Sequence, residues 1–215
     1  MSDSLISAPK LQRLPLAFYL RTDVVQVAQD LLGKTLVTRF NGIRTTGRIT
    51  ETEAYRAPDD RACHAFGNRR TARTEVMFQE GGRAYIYLCY GMHHLFNVVT
   101  GPADTAHAVL IRAVEPLEGL DYMHERRGLK YRPEKSIPTK LTTGPGALAQ
   151  ALGLHTRQTG ASLLLPESEV WIEDNHTPVL PDQMASGPRI GVDYAGVCAA
   201  WPWRFWVKNT PFVKK

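Results

Sequence analysis

"KTLVTRFNGIRTTGRITETEAY" (residues 34–55) sets the architecture. Two runs suited to strands flank Asn41-Gly42, a pair that tolerates positive φ at both central turn positions and so predicts a tight hairpin. Alternation along the second run places Ile49, Glu51, Glu53 and Tyr55 on one face. A carboxylate and a phenol then stand side by side on a rigid element, a good platform for chemistry.

Working outward, "RTDVVQVAQDLLGK" (21–34) predicts a helix, with Thr22 as cap candidate, apolar Val24, Val27, Ala28 and Leu31 at helical spacing, and Gly33 closing it. "RAYIYLCYG" (83–91) and "HLFNVV" (94–99) read as a second hairpin turning at Gly91, and "HAVLIRAV" (107–114) as a further strand that carries Arg112. "EGLDYMHERRG" and "GPGALAQALGL" predict helices, and "EVWIED" and "RFWVKN" late strands. Residues 56–82 form a long, arginine-rich loop, a length usually reserved for function. The expected fold class is therefore α+β: one domain, residues 15–215, on a curved, mainly antiparallel sheet with flanking helices, preceded by a short tail at 1–14.

Composition narrows the function. The 215 residues are 43% hydrophobic and 22% charged, as in ordinary globular proteins, with no apolar run long enough to span a membrane. The N-terminus lacks a signal-peptide pattern, so secretion is not expected. Three cysteines without a C-x-x-C pair argue against a disulfide framework or a zinc ribbon. The net charge of +5 is concentrated at 124–140 and 201–215, the latter interleaved with Trp and Phe, as a nucleic-acid backbone with nearby bases would require. A basic surface over an aromatic core is the alternative.

The candidate sites leave alternatives open. Cys63, His64, Cys89, His93 and His94 lack metal-ligand spacing, and adjacent histidines on a strand face opposite ways, so no metal or other cofactor is expected. Glu51, Asp59 and Asp60 lie near Arg56 and Arg61, which favours solvated ion pairs. Glu53, between Ile49 and Tyr55 on its face, is either a desolvated general base or a structural carboxylate. Tyr85 and Tyr87 share one face and pack the sheet, or Tyr87 lines the pocket that holds Glu53. Tyr90 beside Gly91 packs likewise, or projects as a wedge between bases.

The ordered set "ETEAY…DDRACHAFGNRRTARTEVMF…AYIYLCYGMHHLFNVVT…AVLIRAVEPLEG…TTGPGALAQALG…PRIGV" resembles the alkyladenine (3-methyladenine) DNA glycosylase family, the type without a helix-hairpin-helix core. The resemblance runs from about Pro15 to Val213. It implies a formyltransferase C-terminal-domain-like sheet with a protruding β-hairpin, and a base-excision-repair enzyme that flips and hydrolytically releases alkylated purines. The substrates it implies are 3-methyladenine, 7-methylguanine and, further afield, hypoxanthine and ethenoadenine. By position, Glu53 would activate water with help from Arg112. Tyr55, His64, Tyr87 and Asn97 would hold the base, and Tyr90 would intercalate with Met77 near the unpaired strand. Arg69, Thr71, Arg73, Lys208 and Asn209 would touch the DNA backbone. The implied partner is damaged double-stranded DNA, the protein acting as a monomer away from membranes, in the cytoplasm of a bacterium or the nucleus of a eukaryote. The segment between Lys34 and Lys130 contains no lysine, so no Schiff-base amine is expected from it and the abasic product is expected to remain uncut. A non-catalytic nucleic-acid-binding domain and a metal-dependent hydrolase are the competing classes.

Overall fold

Strand alternation and Gly-containing turns build the sheet, and a computed structural model describes its residues 12–214. The order along the chain is β1 (Gln12–Arg13), α1 (Leu16–Tyr19), α2 (Val24–Asp30), β2 (Thr35–Phe40), β3 (Ile43–Arg56), β4 (Arg83–Cys89), β5 (His93–Thr100), β6 (His107–Glu118), α3 (Leu120–Arg126), α4 (Pro145–Leu152), β7 (Val170–Asp174), β8 (Met184–Gly187) and β9 (Arg204–Val207). Every strand pairing is antiparallel, in the order β1-β7-β2-β3-β6-β5-β4, with β9 also on β3 and β8 on β9. The expected α+β fold on one curled antiparallel sheet is the observed one.

Local chemistry explains the elements. Asn41 (φ 54°) and Gly42 (φ 78°) make the β2–β3 turn, with Phe40 opposite Ile43. The cap of α2 is Asp23 rather than Thr22: its carboxylate accepts from the Gln26 amide at 3.0 Å, satisfying a donor that the helix leaves open. Pro145 at the first turn and left-handed Gly153 at the end bound α4. Residues 1–11 of the expected tail lie outside the described residues, but Gln12 and Arg13 pair with β7 and Leu14 is buried.

The 14-residue β3 organises the rest. Its first half pairs with β2, and at Glu51–Glu53 its same edge passes to β9. On the β6 side two register shifts fall together: Ile49 faces Val114, Glu51 faces Ala113, and Thr52 faces Ile111. One extra residue, Thr50, thus lies on β3 and another, Arg112, on β6. A bulge shifts side-chain parity. Ile49 therefore sits in the main apolar cluster, not on the face of Glu51, Glu53 and Tyr55, which corrects the alternation read from the sequence.

The sheet separates two layers. Beneath it, Ile49, Ala54, Ile86, Phe96, Val109 and Ile111 pack against Val27 of α2 and Leu31 at its end, and against Leu148 and Leu152 of α4. Each Val, Leu, Ile or Phe among them contributes about 1.5–3 kcal/mol when removed from water. Above it, loop 57–78 and the segment after β8 cover the opposite face through two smaller clusters that share Tyr55.

Candidate active site

A cavity of about 450 Å³ opens between these covering segments and the upper face, lined among others by Glu53, Tyr55, His64, Tyr87, Asn97 and Arg112. Its size falls within the usual range for small-molecule sites, roughly 300–1,000 Å³. β3 supplies Glu53 and Tyr55, β4 supplies Tyr85 and Tyr87, β5 supplies Asn97 and β6 supplies Arg112. The segment between Lys34 and Lys130 thus provides most of the wall.

Glu53 is fully buried and ion-paired with Arg112, Oε1 to Nη1 at 3.1 Å, yet it forms part of the cavity lining. Oε1 also accepts from the Ile190 amide at 2.8 Å, and Oε2 accepts from the Tyr55 hydroxyl at 2.7 Å. Burial, and then the Glu53 charge, hold Tyr55 well above the usual phenol range, so it stays a donor. Arg112 bridges two buried carboxylates, since its Nε donates to Glu51 Oε1 at 2.9 Å. Glu51 takes further bonds from Arg204 Nε at 2.7 Å and the Lys214 amide at 3.0 Å.

These contacts revise the carboxylates. Asp59 does make the expected half-exposed pair with Arg56. Glu51 and Asp60, expected on a solvated surface, are instead buried. Asp60 Oδ1 is held by Arg189 Nη2 at 2.8 Å, and Arg189 also lies 4.7 Å over the Tyr55 ring. Sequence proximity pointed to Arg56 and Arg61, whereas the true partner comes 129 residues later.

The aromatic wall is tightly arranged. His64 stands edge-on to Tyr87, centroids 4.6 Å apart, and its Nδ1 lies 2.8 Å from Tyr85 Oη. Burial, followed by the nearby Arg73 charge, lowers His64 to a pKa of about 4, so the ring is neutral at pH 7. Asn97 Nδ2 is spent on the Tyr85 and Leu95 carbonyls at 3.1 and 3.3 Å, which fixes this side chain in the wall.

Tyr90 is 89% exposed at the tip of the β4–β5 hairpin, in the left-handed region (φ 51°) beside Gly91. Met92 is 69% exposed on the same tip. Met77, expected beside it at the DNA surface, is only 2% exposed. It packs with Val76, Phe78 and Tyr85 and helps to line the cavity, so it cannot intercalate from this position.

The expected backbone contacts scatter. Arg69 is exposed and makes no ion pair among the described residues. Thr71 is bound up in a turn with Thr74. Arg73, also exposed, turns to His64 Nε2 at 3.2 Å and lies 5.0 Å over Tyr87. Lys208 and Asn209 line a different cavity that shares no residue with the first. The cause is direction: β9 runs from Arg204 beside Glu53 to Trp206 beside Glu51, so its continuation leaves the site.

Several lining residues were not foreseen. Ile190, Gly191, Tyr194, Lys214 and the turn at Gly144–Ala147 all border the cavity. The "PRIGV" motif (188–192) was the available signal for the first two. The segment between Lys34 and Lys130 is free of lysine as read, but Lys214, outside it, borders the cavity, because the chain after β9 returns over Glu51. No group of three or more potential metal ligands occurs among the described residues. His94 meets His155 at 3.2 Å instead.

A buried acid at an aromatic cavity, beneath an exposed hairpin, is the arrangement expected from the sequence motifs. The family model for methylpurine-DNA glycosylase (MPG) matches residues 17–211. The chain belongs to this family. A protein of Bacillus cereus named "Putative 3-methyladenine DNA glycosylase" is 45% identical over 203 residues, covering 94% of this chain and 98% of its own. One of the same name from Bacillus anthracis is 44% identical over 209 residues with the same coverage. As a methylpurine-DNA glycosylase the protein is a DNA-repair hydrolase acting on N-glycosyl bonds. Among the described residues no helix is long and apolar enough to cross a membrane.

Proposed function

We propose that the protein takes an alkylated purine, flipped from double-stranded DNA, into the Glu53 cavity and hydrolyses its bond to deoxyribose. The observation that carries this reading is the placement of a fully buried carboxylate in the wall of an aromatic cavity. A carboxylate offers about four acceptor sites. The Ile190 amide and the Tyr55 hydroxyl occupy two, with the Arg112 ion pair beside Oε1, which leaves acceptor capacity for a water. As the C1′–N bond lengthens, electrons pass to the purine and the sugar gains oxocarbenium character, which the Glu53 charge stabilises. Water then adds to C1′ and its proton passes to Glu53. Arg112 keeps the carboxylate in place.

A base in a duplex is out of reach, and extruding it costs a few kcal/mol, less when its pairing is already damaged. Tyr90, rigid and exposed, fits the role of filling the gap, with Met92 rather than Met77 beside it. Tyr55 and Tyr87 would favour a cationic alkylated base by about 0.5–2 kcal/mol each through ring–cation attraction. That is too little for selectivity alone, so labile bonds and crowding at Asn97 complete it. We further propose 3-methyladenine and 7-methylguanine as substrates, an uncut abasic product and a monomeric enzyme.

The test is release of free base and alkali-labile sites from methylated duplex DNA in excess chelator. Glu53→Gln should lose at least about 10²-fold in rate, the scale of a general base, while its circular dichroism stays unchanged. Loss under tenfold would remove Glu53 from the chemistry, and chelator sensitivity would favour a metal-dependent hydrolase. Binding without release by the wild-type protein would leave only a nucleic-acid-binding domain. Borohydride trapping, which tests Lys214 as well, would overturn the uncut product.

A further inference from the structure

We propose that Arg73, His64 and Tyr85 form a relay that presents the Tyr85 hydroxyl hydrogen to a neutral purine in the cavity. This rests on the glycosylase reading and adds a specificity device to it.

The chemistry of the donors fixes the direction. A guanidinium donates and never accepts, so Arg73 Nη2, 3.2 Å from His64 Nε2, makes that nitrogen the acceptor. A neutral imidazole carries one N–H, which must then be on Nδ1. Nδ1 lies 2.8 Å from Tyr85 Oη, so the phenol oxygen accepts. Its own hydrogen stays uncommitted: Tyr85 Oη donates to no acceptor among the described residues. The residue is 2% exposed and lines the cavity. A buried donor without a partner costs free energy comparable to a lost hydrogen bond, so an acceptor arriving in the cavity would recover it.

The geometry selects a chemical class. An alkylated, cationic purine departs as a neutral molecule and gains little from a donor. A neutral purine departs with negative charge developing on its ring, and a hydrogen bond to its oxo group or ring nitrogen stabilises that charge. Burial raises Tyr85 to a pKa of about 12, and His64 remains neutral above about pH 4. The relay therefore works by hydrogen bonding, without proton transfer. The relevant substrates are uncharged lesions with an acceptor edge, such as hypoxanthine.

Single-turnover release from saturated enzyme, on duplexes holding hypoxanthine or 3-methyladenine, tests the relay. Tyr85→Phe should lower the hypoxanthine-to-methyladenine rate ratio by roughly tenfold, the worth of one hydrogen bond. Exposed Arg73 provides a second variant should Tyr85→Phe misfold: Arg73→Ala should lower the ratio in the same direction, and Arg73→Lys should restore part of it. Nitrogen-15 spectra of the free protein should show His64 protonated at Nδ1, shifting to a mixture in Arg73→Ala. An unchanged ratio, equal losses on both substrates, or an Nε2–H tautomer would overturn the relay. Failure of the wild type to release either base would sink the glycosylase reading itself, whereas release of methyladenine without hypoxanthine would sink the relay alone.

Discussion

Consecutive residues of β3 live in different surroundings. Thr52 and Ala54 face the layer beneath the sheet, where Thr52 Oγ1 donates to the Ala28 carbonyl and Ala54 joins the apolar cluster. Glu51, Glu53 and Tyr55 face upward into charges, phenols and a cavity. The lower layer is held by area removed from water, which depends little on direction. The upper layer is held by hydrogen bonds and ion pairs whose value depends on every partner being present. Sturdiness and reactivity are thus separated by the thickness of one strand.

Arg112→Ala should break this contrast most severely. It leaves Glu51 and Glu53 buried without the cation between them, and losing one partner of a buried pair costs about 3–5 kcal/mol. Urea unfolding measures it; a loss below about 1 kcal/mol would mean that the upper layer tolerates unpaired charge.

His64 gives the next largest effect. Its folded pKa of about 4 lies below the ordinary 6.5, so the unfolded chain binds the proton first as pH falls. Its contribution is complete above pH 6.5 and is lost between about pH 6.5 and 4, at most about 3 kcal/mol from the size of the shift. His64→Gln should flatten that part of the stability–pH curve, and an unchanged slope would show that the ring is not desolvated as described.

Tyr90→Ser should have the smallest effect, and on activity alone. With the tip exposed, stability should move by less than about 0.5 kcal/mol. Excision from duplex should fall roughly tenfold, within the 1–3 kcal/mol range of aromatic–base stacking. Excision from single strands should fall less, and equal losses would argue against a wedge.

The elements legible in the sequence were those with local causes. Asn41-Gly42 specified its turn by backbone freedom, and the helical spacing of Val24, Val27 and Leu31 specified α2. The ordered motifs pointed to Glu53, Tyr55, His64, Tyr87, Asn97 and Arg112, all of which border one cavity. What escaped was set by distant chain. The bulge at Thr50 depends on pairing with a strand some sixty residues away, and nothing in "RITETEAY" marks it. The Asp60–Arg189 pair and the approach of Ile190 and Lys214 likewise arise only when the chain closes over the sheet. Met77 was placed near the unpaired strand by the resemblance alone, and its burial within the arginine-rich loop leaves no periodic trace in the sequence.

The paired bulges at Thr50 and Arg112 act as a counting device. Draw Thr50 into the ladder, so that the first bulge is lost, and strict alternation from Ile49 would turn Glu53 downward, into the apolar layer beneath the sheet. The chain would then have to give up either its pairing or its acid. A residue added or removed in the ladder between this bulge and Glu53 should therefore be tolerated far less than one in the loops, although no catalytic atom belongs to Thr50 itself.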